Sequence, residues 1–190
     1  MTLILASGSR YRQQQLTQLG LEFMAISPDV DERVLCGESP EQLATRLARS
    51  KANAIKTKHP EALVIGSDQV CACDGEIFGK PHTVERACQM LLGFSNKKVT
   101  FYTAMCVATA DNQWLEYLDQ TRVDFRQLTH AEVERYVVAD QPLDCAGGFK
   151  VECKGLTLFK AVHTTDPSAL MGLPLIQLCE WLRQAGLNIP

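Results

Sequence analysis

Asp68 follows directly on an apolar run, Ala62-Leu63-Val64-Ile65-Gly66, and then Ser67. A carboxylate at the carboxyl end of such a strand is placed to bind a divalent cation, to take a proton from water, or to do both, although an Asp there also serves simply to close a turn. Glu32, in the acidic loop Ser27-Pro28-Asp29-Val30-Asp31-Glu32, and Glu152, shortly after Phe149, are further carboxylates outside the regular patterns. Cations recur near expected strand ends and on one inward helix: Arg10, Arg12, Lys51 and Lys80. A triphosphate carries about four negative charges, and several cations converging on one site are the electrostatic answer to it. The opening of the chain points the same way. Leu3-Ile4-Leu5-Ala6 stops at Ser7-Gly8-Ser9-Arg10-Tyr11-Arg12 and gives way to a helical pattern, so hydroxyls, a glycine and two cations lie at a helix N-terminus, where anions are held.

These residues need a scaffold. The spacing predicts a strand over residues 3–6, a helix from Ser9 to Leu19 stopped by Gly20, and a short strand from Phe23 to Ile26. Ser39-Pro40-Glu41 starts a helix running to about Lys58, with Leu43, Leu47, Ala54 and Ile55 inward. Residues 62–66 read as a buried central strand ending at Ser67-Asp68-Gln69, and Val70–Cys73, Asp74-Gly75 and Glu76–Phe78 as a hairpin. Thr83 caps a helix to about Leu92. Val99–Thr109 and Trp114–Phe125 form an antiparallel pair, and Thr129 with Glu132 opens a helix through Val138. Residues 145–149 read as a flexible loop, Leu156–Val162 as a strand, and Leu173–Ala185 as a last amphipathic helix stopped by Gly186.

Size and composition narrow the partners. With 190 residues, 46% hydrophobic and 22% charged, the chain is expected to form one compact unit over 1–190, with two lobes allowed. A formal charge of −3 lacks the broad basic footprint of a protein that binds nucleic-acid polymers, and favours a small anionic ligand. No apolar run approaches the roughly 20 residues of a membrane span, and no leader pattern opens the chain, so a cytoplasmic protein is expected. The eight cysteines are scattered without CxxC spacing and read as reduced core thiols; the four histidines form no zinc signature.

Taken in order, Ser7-x-Ser9-x-x-Arg12, Asp31-Glu32, the Lys51 helix, Gly66-Ser67-Asp68-Gln69, Gly79-Lys80-Pro81, Cys145-Ala146-Gly147-Gly148-Phe149 and Gly172-Leu173-Pro174 resemble the Maf family of nucleotide pyrophosphatases over essentially the whole chain. The resemblance implies an α/β fold similar to the inosine triphosphate pyrophosphatases: a mixed twisted sheet flanked by helices, with two lobes around a central cleft. It implies hydrolysis of a nucleoside triphosphate to monophosphate and pyrophosphate with a divalent cation, for which carboxylate and phosphate oxygens suit magnesium or manganese. By the same resemblance Asp68 is the general base, Ser7, Ser9, Arg12, Lys51 and Lys80 contact phosphate, and Glu32 with Asp68 binds metal or positions water. A homodimer is implied as well.

The chain departs from the common Ser-Pro-Arg-Arg opening, since Arg10, Tyr11 and Arg12 follow Ser9. The branch acting on thymidine and uridine triphosphates resembles Arg, Thr and Gln where this chain has Tyr11, Gln69 and Glu152. An aromatic, Gln and Glu at those positions resemble instead the branch acting on 7-methyl-GTP. That choice has a chemical reason. N7-methylated guanine is cationic and attracted to an aromatic face, while a carboxylate accepts from the two donors on the guanine edge. The competing readings are a pyrophosphatase for dTTP and UTP, and a nucleotide-binding regulator of cell division without catalysis, which would need affinity but no water-activating carboxylate.

Overall fold

A computed structural model describes residues 2–189. In chain order the elements are β1 (Leu3–Ala6), α1 (Arg10–Gln18), β2 (Met24–Ala25), α2 (Pro40–Lys56), β3 (Leu63–Cys73), β4 (Glu76–Phe78), α3 (Val84–Gly93), β5 (Lys98–Ala108), β6 (Trp114–Phe125), α4 (His130–Asp140), β7 (Phe159–His163) and α5 (Leu175–Gln184). The strand order is β2-β1-β3-β5-β6-β7, with β4 paired to β3. β1 lies parallel to β2 and to β3, with Leu3 opposite Leu63 and Ala6 opposite Gly66. β4 and β7 pair antiparallel with β3 and β6, and the short 109–113 connection forces β5 and β6 antiparallel as well. The sheet is therefore mixed, as expected.

The chain divides into two compact units. The first holds residues 2–69, 103–119 and 166–189, and the second holds 70–102 and 120–165. In the first unit, Leu3 and Leu5 of β1, Leu63 and Ile65 of β3, and Met105 and Val107 of β5 pack with Leu16 of α1 and with Leu178 and Leu182 of α5. These are alternate residues of their strands, so one sheet face receives α1 and α5. In the second unit Phe101, Phe125, Phe149 and Phe159 form a chain of edge-on ring contacts, with Phe149 and Phe159 centroids 4.8 Å apart.

Several expectations are corrected. Residues 67–69 do not close a turn: β3 runs unbroken for 11 residues through them. The run continues because Ser67 replaces lost apolar packing with buried hydrogen bonds, its Oγ lying 2.8 Å from Ala104 O and 2.7 Å from Gly172 O. Residues 145–149 are no flexible loop. Gly147 (φ 75°) and Gly148 (φ 69°) are buried in a tight turn, where a Cβ on Gly147 would come 2.7 Å from Phe101. The strand expected from Leu156 starts only at Phe159, after a 3-10 turn over Gly155–Leu158. The last helix starts at Leu175 rather than Leu173. Its first free N–H groups are met from upstream, Leu175 N–H by Ser168 Oγ at 2.7 Å and Ile176 N–H by Asp166 Oδ2 at 2.8 Å. On α2, Ala54 is half-buried, and Ala44, Ala48 and Ala52 are the small residues turned fully inward. All eight cysteines are free, but Cys36 and Cys153 are exposed rather than core residues.

Candidate active site

The geometry of α2 against β3 explains why a lysine and an aspartate meet. Gly66 has no side chain to hold the helix off: a Cβ there would stand 2.3 Å from Ala48 O and 2.6 Å from Ala52 N. Gly66 and Asp68 share one face of β3, two residues apart, and Lys51 lies on the same turn of α2 as Ala48 and Ala52. Lys51 Nζ therefore reaches Asp68 Oδ1 at 2.6 Å. The same nitrogen is 2.6 Å from Glu32 Oε1. The lysine side chain is only 9% exposed and that of Asp68 12%, whereas Glu32 arrives from an irregular loop and stays 60% exposed.

Arg12 is fixed from another direction. Its Nε donates to Gly172 O at 2.9 Å and its NH1 lies 3.4 Å from Ser7 Oγ, which also accepts from Ser9 N–H at 3.1 Å. Burial pulls the pKa of the guanidinium below its usual value, and the charges of Asp68 and Glu32 oppose the shift, so the field of both carboxylates reaches it. Gly172 holds φ at 111°, and its carbonyl serves both Arg12 and Ser67. Ser9 caps α1, its Oγ facing Arg12 N–H at 3.5 Å.

The first unit thus brings Ser7, Ser9, Arg12, Glu32, Lys51 and Asp68 into one linked set. Gln69 is turned to the other face, where its Nε2 lies within 3.0–3.2 Å of Thr103 Oγ1, Ala169 O and Leu170 O. Tyr11 is half-buried on α1. The Arg10 guanidinium lies 5.0 Å from its ring centroid and donates to its hydroxyl at 2.9 Å, so one aromatic face already carries a cation. Lys80 and Glu152 belong to the second unit, both exposed, Lys80 just after β4 and Glu152 in the turn before Gly155.

Among the described residues no three or more His, Cys, Asp or Glu side chains gather into a metal cage. The chemistry of the donor set nevertheless fits a hard cation. Two carboxylate oxygens, each 2.6 Å from one ammonium nitrogen, stand within twice that distance of each other. Magnesium-type sites use one or two carboxylates and leave the remaining positions to water and substrate phosphate. Chemically, the set can neutralise phosphate charge with two cations and present a carboxylate to water.

Sequence reasoning missed Gly66, Ser67 and Gly172 as positioning residues. A glycine inside an otherwise apolar strand was the available signal for the first, since it marks a close backbone approach.

Known proteins resemble this chain in sequence and in fold. The family model described as "Maf-like protein" matches residues 2–185. A protein named 7-methyl-GTP pyrophosphatase from Xanthomonas campestris pv. campestris (strain 8004) is 49% identical over 188 residues, covering 99% of this chain and 98% of that protein. A protein of the same name from Pseudomonas putida is 46% identical over 191 residues, covering all of both chains. Among solved structures, the Staphylococcus aureus Ham1 protein aligns with a TM-score of 0.55 at 14% identity, covering 96% of this chain and 100% of that one. A HAM1 protein from Coxiella burnetii aligns with a TM-score of 0.53 at 16% identity, covering 97% and 100%. At those identities the structural likeness is one of fold. Among the described residues no helix is long and apolar enough to cross a membrane.

Proposed function

We propose, from the premise that this chain belongs to the Maf family, that it hydrolyses 7-methyl-GTP to 7-methyl-GMP and pyrophosphate. The observation that carries the reading is the Lys51 ammonium held at 2.6 Å by both Asp68 and Glu32, in the unit that also anchors Arg12. The choice of substrate draws on the names of the relatives from Xanthomonas campestris and Pseudomonas putida, together with Tyr11, Gln69 and Glu152.

In this reaction water attacks the α-phosphorus, the bond from that phosphorus to the bridging oxygen breaks, and pyrophosphate leaves with the electron pair. Asp68 accepts the proton of the attacking water. Lys51 holds Asp68 in place and can turn its ammonium toward phosphate oxygens, and Arg12 offers its remaining N–H groups to the same charge. Ser7 and Ser9 line the start of α1, and the positive end of a helix favours an anion. Glu32 and Asp68 would hold magnesium or manganese, which when bound neutralises charge on the phosphates and the leaving group. Phosphoryl transfer asks for this positioning and charge neutralisation more than for covalent chemistry. Lys80 and Glu152 are assigned to phosphate contact and guanine selection, and substitution of each tests that role.

The test is pyrophosphate release with magnesium or manganese from 7-methyl-GTP, GTP, dTTP and UTP. Faster release from 7-methyl-GTP than from the other three is expected, and equal or faster release from dTTP overturns the choice of base. Asp68→Asn should lower kcat by about 10²- to 10⁴-fold, the contribution of a positioned base, with circular dichroism unchanged. Nucleotide binding in calorimetry without pyrophosphate release would overturn catalysis itself.

A further inference from the structure

Glu32 presents a positional problem. Residues 26–39 contain no helix or strand, and the Glu32 side chain is mostly exposed, yet its carboxylate lies 2.6 Å from a buried ammonium. Something has to order the loop relative to Lys51.

Arg46 does this from α2, the helix that carries Lys51. Its guanidinium takes the Glu38 carboxylate in a two-pronged contact, Nε to Oε1 at 2.6 Å and NH2 to Oε2 at 2.9 Å, and the same NH2 donates to Arg33 O at 2.9 Å. Glu38 in turn accepts from Leu35 N–H at 3.0 Å, and Glu38 N–H returns to Leu35 O at 3.1 Å. The Glu38 side chain is only 7% exposed, and hydrogen bonds from Arg46 and then Leu35 N–H hold its pKa down at about 2. Arg33 O is the carbonyl of the residue that follows Glu32. On either side of Glu32, Arg33 and Asp31 pair with each other at 2.6 Å. One planar cation thus ties the far end of the loop, and the main chain beside Glu32, to the helix seated on Gly66.

We infer that Arg46 is a positioning residue for the reaction: gripping Glu38 and the Arg33 carbonyl, it fixes the loop that delivers Glu32 to Lys51. The inference rests on the reading that Glu32 takes part in hydrolysis. The contacts of Arg46 are with Glu38 and Arg33 O, and it acts on the reaction through Glu32.

The experiment compares pyrophosphate release from 7-methyl-GTP, with kcat and KM separated and the magnesium dependence measured, for Arg46→Gln, Arg46→Lys, Glu32→Gln and the Arg46→Gln/Glu32→Gln pair. Arg46→Gln should lower kcat or weaken magnesium activation by about 10- to 100-fold, the usual cost of losing a group that orients a metal ligand. Arg46→Lys keeps the charge but not the fork and should fall between. In the Glu32→Gln background the Arg46 substitution should cost less than about twofold, because the two act as one unit. An equal loss in both backgrounds makes Arg46 merely structural and overturns the inference. Full activity of Arg46→Gln, with Glu32→Gln impaired, also overturns it while leaving the Glu32 reading intact. Full activity of Glu32→Gln overturns that reading first. Should Arg46→Gln fail to fold, Glu38→Gln with the cation left in place carries the same comparison.

Discussion

Lys51 is a nearly buried ammonium whose charge is balanced on one side by the equally buried Asp68 and on the other by the water-accessible Glu32. Removing the cation leaves Asp68 without its ammonium partner, and an uncompensated buried charge is costly. Lys51→Met should therefore lose about 3 kcal/mol in denaturant unfolding, the low end for a broken buried pair, because Glu32 remains solvated. Lys51→Met/Asp68→Asn should recover most of that loss without recovering pyrophosphate release; a double variant as unstable as the single one would show that packing rather than charge is at stake. Asp68 was legible in the sequence as a carboxylate at the end of an apolar run, and Lys51 as a cation on an inward-facing helix. Gly172 and Arg46 were not. The carbonyl by which Gly172 holds Arg12 is a group every residue has, and the partners of Arg46 are Glu38, eight residues earlier, and a main-chain oxygen. Tyr11 was legible as an aromatic, but not the cation of Arg10 lying on its face.

At the scale of elements, the site depends on one contact, α2 seated directly on β3 at Gly66. The atoms a new Cβ would strike are mostly backbone, Ala48 O and Ala52 N, together with Ala52 Cβ at 2.8 Å, so no side chain can turn aside and the helix itself must move. Gly66→Ala should cost about 3 kcal/mol, the upper end for overpacking a core. Because Lys51 rides on the displaced helix, kcat should fall as well, by up to about 100-fold for a shift near 1 Å. Unfolding midpoints and kcat on the same variant check this, and an unchanged kcat would sink the link between this contact and the site. The N-termini of α1 to α4 were well marked in sequence, unlike that of α5. Ser39 and Thr129 each form a capping box, with Gln42 and Glu132, and Ser9 and Thr83 cap their helices. The hairpin was legible through Asp74 and Gly75, both at positive φ. The unbroken course of β3 was not, because Ser67-Asp68-Gln69 has the composition of a turn and is kept in the strand by hydrogen bonds from distant segments. Nor was the order of the 145–149 turn, which comes from aromatic rings brought in by β5, β6 and β7.

Over the whole molecule, β3, β5 and β6 each pass from one unit into the other, at residues 69–70, 102–103 and 119–120. Three shared strands should make the two units unfold together, and acid offers a test. In the second unit Thr129 and Arg126 hold the pKa of Glu132 down at about 2, against an ordinary 4.5. Between those values the unfolded chain binds a proton that the folded chain does not, so this stabilisation is complete above the ordinary value and is lost as pH falls toward 2. Glu132→Gln removes that pH dependence and should flatten the loss of stability between about pH 4.5 and 2. Both tryptophans, Trp114 and Trp181, lie in the first unit, so their fluorescence reports that unit alone, whereas far-ultraviolet circular dichroism reports both. With coupled units, Glu132→Gln should shift the fluorescence and dichroism midpoints by the same amount at every pH. A dichroism midpoint that moves while tryptophan fluorescence stays at its wild-type value would show that the units unfold separately despite the strands they share.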